Sequence, residues 1–236
     1  EDAEDYILLE EMPFATNGEG YTSRVRMTLA LYNAETDETK LLTPPMFMLG
    51  AFRWAGKQLV YTGHSYTTVK AKTKGMYAYS LATGETRTLV EDGALAIYHI
   101  GEEEGTVLFT ASDLKQYGSA SGQDFYKLSL AGGGCEKLLA HELVPGTSPI
   151  TDSTYGSGNA FVCAQGAAYY IVLDRFQSHI RSIDAAGVQQ EILGFDGGIQ
   201  MLDMRGGATV FVGMQKNSLQ ELYVLAGGKA VCISAF

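Results

Sequence analysis

Apolar positions along this chain come in short runs closed by glycine-rich or polar turns, and no stretch keeps a helical spacing for more than about two turns. One unit recurs five times: a short apolar strand, a tight small-residue or polar turn, then a strand ending in aliphatic residues. The copies read LALYNAETDETKLL (29–42), MYAYSLATGETRTL (76–89), FYKLSLAGGGCEKLL (125–139), HIRSIDAAGVQQEIL (179–193) and ELYVLAGGKAVCI (221–233). Their closing residues Leu42, Leu89, Leu139, Leu193 and Ile233 lie 47, 50, 54 and 40 residues apart. A strand-built period of that size predicts one four-stranded sheet repeated radially around an axis, an all-β propeller.

Two further signals fill the intervals. Nearly continuous apolar strands at 6–9, 59–62, 107–110, 169–173 and 210–212 are expected where a sheet is covered on both faces. Less regular strands at 47–54, 95–100, 160–164 and 199–204 precede the last four of these, each ending in a turn that contains glycine. The pattern predicts a single propeller domain over 1–236, with five blades at about 6–42, 43–89, 90–139, 140–193 and 194–234. The first blade lacks its leading strand, so the ring is expected to be incomplete. Its unpaired edge predicts a homodimer or another strand-mediated contact. The connections at 16–23, 65–75 and 112–123 are long and polar, and 141–159 is the longest irregular segment; such loops are where propellers place function.

Composition narrows this reading. With 28 glycines and only 5 prolines, the chain favours many turns over a disordered tract, and its 14 tyrosines and 10 phenylalanines suit sheet faces. The formal charge of −10 excludes the basic stripe that a nucleic-acid partner requires. Lys70, Lys72 and Lys74 are expected on one face of a solvated edge segment, and Glu102, Glu103 and Glu104 in a solvated turn. Three widely spaced cysteines (Cys135, Cys163, Cys232) argue against a disulfide framework and for a reducing, cytoplasmic compartment; Cys163 and Cys232 read as small buried hydrophobes. No run reaches the roughly 20 apolar residues of a membrane span. The opening Glu1-Asp2-Ala3-Glu4-Asp5 has no leader pattern and no initiator methionine, as expected for a piece of a longer protein.

Three segments resemble the propeller of the prolyl oligopeptidase family, in its bacterial acylaminoacyl-peptidase and dipeptidyl-peptidase branch. LYNAETDETKLLT (31–43) is similar to that family's first complete blade edge. The run from Thr151 through Asp152, Ser153, Thr154, Tyr155 and Gly156 to Gly158 resembles its Ser-Asp-x-Arg-x-Gly-Gly connection, with Thr154 in place of the arginine. ELYVLAGGKAVCISAF (221–236) resembles the strands that lead into the hydrolase domain. The resemblance implies a non-catalytic propeller that limits a serine peptidase to short peptides, with its own C-terminal hydrolase domain and peptide substrates as partners.

The chain itself carries no catalytic signature. Gly118-Ser119-Ala120-Ser121-Gly122 is similar to a Gly-x-Ser-x-Gly elbow but has alanine at the nucleophile position. His64, His99, His141 and His179 lack metal-ligand spacing, and no phosphate or calcium loop is present, so neither cofactor nor metal is expected. Asp152 and Tyr155, in the motif-like loop, and Arg175, after an apolar strand, are the candidates for contact with substrate or a neighbouring domain. An Asx turn at Asp152 and a solvated strand end at Arg175 are the structural alternatives. Trp54 is expected in the core of the second blade. A stand-alone propeller that binds a protein or small ligand is the other functional reading; a propeller hydrolase or lyase would need paired acids in the channel, which the sequence does not show.

Overall fold

A computed structural model describes residues 6–146, 158–216 and 218–235. Nearly all regular structure is antiparallel strand, connected in sequence order. A short hairpin, β1 (Ala15–Thr16) and β2 (Gly20–Tyr21), precedes a two-stranded sheet of β3 (Ala30–Asn33) and β4 (Glu38–Leu41). Then come β5 (Phe47–Ala55), β6 (Gln58–Ser65), β7 (Lys74–Ser80), β8 (Thr86–Glu103), β9 (Thr106–Ser112), β10 (Asp124–Ser129) and β11 (Cys135–Leu139) in one seven-stranded sheet. Two four-stranded sheets follow: β12 (Phe161–Ala164), β13 (Ala167–Asp174), β14 (Gln177–Asp184) and β15 (Gln189–Phe195), then β16 (Gly198–Arg205), β17 (Ala208–Met214), β18 (Glu221–Ala226) and β19 (Lys229–Cys232).

The seven-stranded sheet is two four-stranded units sharing β8. The first part of this 18-residue strand pairs with β7 (Thr86 opposite Tyr79, Val90 opposite Met76), and the last part pairs with β9 (Ala96 opposite Ser112, Glu103 opposite Thr106). Between them the exposed stretch 91–94 carries Gly93 at φ 88°. The outer strand of one unit thus runs directly into the inner strand of the next.

Period-two alternation sends side chains of one strand to opposite faces, and the cores that result lie between successive sheets. On β6, Leu59 and Tyr61 pack with Leu29, Phe47 and Tyr79 toward β3 and β4, while Val60 packs with Met76, Ile97 and Phe109 toward the next unit. On β9, Leu108 turns the other way and meets Phe125, Phe161 and Tyr170. On β13, Ile171 joins Phe195, Leu202, Phe211 and Tyr223. Four such cores separate five sheet units, an arrangement of stacked blades with an open ring.

Bulges shape the inner strands. Register shifts fall between Leu49 and Phe52, between Ile97 and His99, and between Ile199 and Met201. Hydroxyls of the second strand satisfy two of the amides there: Thr62 Oγ1 accepts from Ala51 N–H at 3.0 Å, and Thr110 Oγ1 accepts from His99 N–H at 3.3 Å.

Several expectations change. The stretch 6–9 is not a strand: Tyr6, Ile7 and Leu8 are exposed and no ladder pairs with them, so the first unit retains only β3 and β4. Just downstream the chain instead pins the loop after β6, with Met12 N–H donating to the Thr68 carbonyl at 2.7 Å and Lys70 N–H to the Met12 carbonyl at 2.8 Å. Glu11 anchors that contact through a buried pair with Arg26, whose guanidinium also donates to the carbonyls of Met46 and Tyr66. Trp54 is 53% exposed. The bulge in β5 moves it onto the face shared with Leu59, where the four-residue β3 and β4 do not extend to cover it. Glu103 is not simply solvated: its carboxylate accepts from Gln165 N–H at 2.7 Å and Gly166 N–H at 2.6 Å, tying the β8–β9 turn to the β12–β13 turn. That second turn holds Gln165 at φ 55° and Gly166 at 77°, the geometry of a two-residue hairpin that matches strand twist.

Cys232 is exposed on the outer strand β19, whereas Cys163 is partly buried against β8, and burial pushes its thiol up to about 12. In the native protein at pH 8, two thiols, Cys135 and Cys232, are expected to react promptly with an aromatic disulfide reagent, and Cys163 only after denaturant is added. Three promptly reacting thiols would contradict the packing at Cys163.

Candidate functional site

The inner strands β5, β12, β16 and the second part of β8 converge on a common cavity of about 380 Å³. Arg53 enters it from β5, Tyr98 and His99 from β8, Phe161 from β12 and Gln200 from β16. The bulges determine which side chains face inward, because each reverses the alternation along its strand. His99 is held by the structure: its ring stacks on Phe161 at 5.7 Å, and Nε2–H donates to the Pro145 carbonyl at 3.0 Å. Burial keeps it below the usual imidazole range, with Arg53 and Lys74 adding to the depression and the Pro145 hydrogen bond opposing it. Gln200 accepts from Gln220 Nε2 at 2.8 Å, linking the inner strand β16 to the loop before β18.

A second cavity of about 450 Å³ adjoins the first and shares Tyr98 with it. It lies where the loops that follow the second strands emerge. Lys70 and Lys72 come from the β6–β7 loop, Ser119 from the β9–β10 loop, and His64 and Lys74 from the strand ends. Lys74 departs from the solvated role expected of the lysine triplet. Its Nζ donates to the Ile97 carbonyl at 3.1 Å, and burial together with Lys70 holds its ammonium below the ordinary lysine range. Lys70 and Lys72 remain exposed.

Of the candidates read from sequence, only Arg175 falls among the described residues. Arg175 sits in the two-residue β13–β14 turn at φ 56°, exposed beside Phe176, and lines neither cavity. It lies in a connection from the second to the third strand of its sheet, as the β6–β7 and β9–β10 loops do. Asp152 and Tyr155 lie outside the described residues. His141 donates from Nδ1 to the Leu143 carbonyl at 2.9 Å and packs edge-on against Phe125 and Tyr170. His179 lies 3.3 Å from Glu191. Among the described residues no three His, Cys, Asp or Glu side chains converge in a way that could hold a metal ion. His64 and Lys74 line the second cavity, Arg53 the first and Tyr98 both, and no sequence motif marks them as site residues. The available signal was an ionisable group at the end of an apolar run, as in LVYTGHS (59–65).

No family model matches the chain, and no curated protein matches it in sequence. Solved structures do match it. The acylaminoacyl peptidase of Pyrococcus horikoshii superposes with a TM-score of 0.73 at 15% identity, over 99% of this chain and 35% of that one. The β-propeller domain of the trilobed protease from Pyrococcus furiosus, described as having an open velcro topology, superposes with a TM-score of 0.64 at 14% identity, over 88% of this chain and 61% of that one. The chain has the fold of these propellers. An oligogalacturonate lyase in complex with manganese also matches, with a TM-score of 0.58 at 14% identity, over 89% of this chain and 60% of that one. The chain spans about a third of the length of the acylaminoacyl peptidases it matches. Among the described residues no helix is long and apolar enough to cross a membrane.

Proposed function

We propose that this chain is the non-catalytic propeller of a cytoplasmic serine peptidase of the acylaminoacyl- or dipeptidyl-peptidase type, and that it gates substrate access to a hydrolase domain. The observation that carries the reading is the superposition of nearly the whole chain on about a third of an acylaminoacyl peptidase. The axial cavities support it. A passage between inner strands admits an extended peptide and excludes a folded protein, so selection is steric. The ring left open beside β3 and β4, with Phe52 and Trp54 uncovered, is where the hydrolase domain or a second copy of the chain would pack.

The test is to read the coding frame beyond Phe236 and to assay the encoded protein. A Gly-x-Ser-x-Gly segment is expected a few hundred residues on. The whole protein should then hydrolyse acylaminoacyl chromogenic substrates and short peptides but not a folded protein, while residues 1–236 alone turn over nothing. A stop codon just after Phe236, or a whole protein inert toward peptides, would remove the proposal. The match to a lyase favours a second reading, since it shows the same fold serving other chemistry. In that reading the chain stands alone as a binding module.

A further inference from the structure

The second cavity combines features that a cavity of structural origin has no need of. His64 is 2% exposed, and neither ring nitrogen has a hydrogen-bond partner among the described residues. A buried imidazole left in that state forgoes hydrogen bonds it could make in water, which is costly unless something in the cavity supplies them. The Lys74 ammonium has one carbonyl acceptor, Ile97 O, and two further N–H groups. Lys70 and Lys72 stand at the mouth, and among the described residues no carboxylate lines the walls. The charges acting on His64 are three cations, Lys70, Lys74 and Arg26, and one acid, Asp92. Arg26 is already neutralised by Glu11, whose two carboxylate oxygens it contacts at 2.6 and 3.0 Å. Asp92 lies in the exposed stretch of β8 and is not part of the cavity wall.

Positive charge is therefore concentrated at one point of a chain whose formal charge is −10. Like charges brought together and partly desolvated repel one another, and the repulsion is relieved when an anion occupies the space between them. Tyr98 and Ser119 line the same cavity, and their hydroxyls are neutral donors suited to oxygen.

We propose that this cavity is a binding site for a small oxyanion, the oxygens of a carboxylate or of a phosphate, with Lys74 and His64 as inner donors and Lys70 and Lys72 as the charges at the mouth. The site does not depend on the peptidase reading. A carboxylate could arrive on the end of a peptide and a phosphate as the free ion or an ester, and the experiment separates these sources.

The test follows the ring nitrogens of His64 by NMR in ¹⁵N-labelled protein during titration at constant ionic strength. The probes are inorganic phosphate, acetate, and a short acetylated peptide as its free acid and as its amide. A saturable shift is expected with at least one probe, and if the carboxylate is the ligand then the free-acid peptide shifts the signals and its amide does not. Lys70→Gln combined with Lys72→Gln should weaken the response about fivefold or more, because two partly solvated charges each contribute modestly. Both side chains are exposed, so the double variant is expected to melt with the parent, which thermal unfolding checks. No saturable shift up to roughly 100 mM of every probe, or an unchanged affinity in a folded double variant, overturns the assignment.

Discussion

Replacing Phe109 with alanine is expected to lower the unfolding free energy by about 3–5 kcal/mol, the range for removing a large aromatic side chain from a core. Phe109 is fully buried on β9, between the two units that share β8. It stacks on Tyr126 at 5.3 Å and joins the cluster of Val60, Met76, Ile97 and Ile100. Val60 and Met76 belong to one unit, while Ile97, Ile100 and Phe109 belong to the next. The cavity left by alanine is therefore bounded by two sheets whose separation is fixed by their other contacts, so collapse around it is restricted. At about 2–4 °C per kcal/mol for a chain of this size, the melting temperature should fall by roughly 10 °C. Phe109→Leu, which keeps most of the volume, should recover more than half of the loss. Urea unfolding followed by both fluorescence and circular dichroism checks the prediction and tests whether the transition remains cooperative. A loss under about 1 kcal/mol would mean that Phe109 does not join two sheets.

Much of this arrangement was legible in the sequence because burial on both faces leaves a trace. Leu59, Val60 and Tyr61 are consecutive apolar residues, and such a run makes sense in a strand only if each face has its own neighbour. The two-residue turns were legible for a related reason: Glu104-Gly105 and Gln165-Gly166 place glycine where a positive φ is needed. What failed depended on distant partners. The run at Tyr6, Ile7 and Leu8 has strand composition, yet composition does not say whether a sheet stands beside it to pair with. Residue type alone puts Trp54 in the core. Its face was decided by a bulge three residues earlier, where Thr62 Oγ1 takes up the Ala51 amide. Glu103 acts on backbone amides some 60 residues away, so no local pattern reveals it.

The candidate site was less legible than the fold, for a physical reason. A loop motif points to Asp152 and Tyr155, and the end of an apolar strand to Arg175. The charged and hydroxyl groups that line the cavities belong to strands or to the β6–β7 and β9–β10 loops. For Arg53, Tyr98 and His99 the orientation follows from bulges at Leu49–Phe52 and Ile97–His99 rather than from residue type. In a lysine triplet with alternate spacing, all three side chains should share one environment. Lys74 differs because it begins β7, where Nζ reaches the Ile97 carbonyl across the shared strand β8.

The stacking of one sheet on the next is most directly probed where glycine makes it possible. Gly101 lies on β8 and Cys163 on β12, in successive sheets. A Cβ built at Gly101 would fall well inside contact distance of Cys163 Sγ and 3.1 Å from both Cys163 Cβ and Phe161 Cε1. Gly101→Ala is therefore expected to destabilise the protein by about 1–3 kcal/mol, the cost of overpacking. Removing the sulfur in Cys163→Ala alone should cost about 1 kcal/mol as a small cavity. The decisive measurement is the double-mutant cycle by urea unfolding of the parent, G101A, C163A and the double variant. If successive sheets stack around the axis as described, the double variant is more stable than G101A, with a coupling of at least about 1 kcal/mol. If the two costs simply add, to within roughly 0.5 kcal/mol, the sheets do not meet at these residues and the stacked-blade account is wrong.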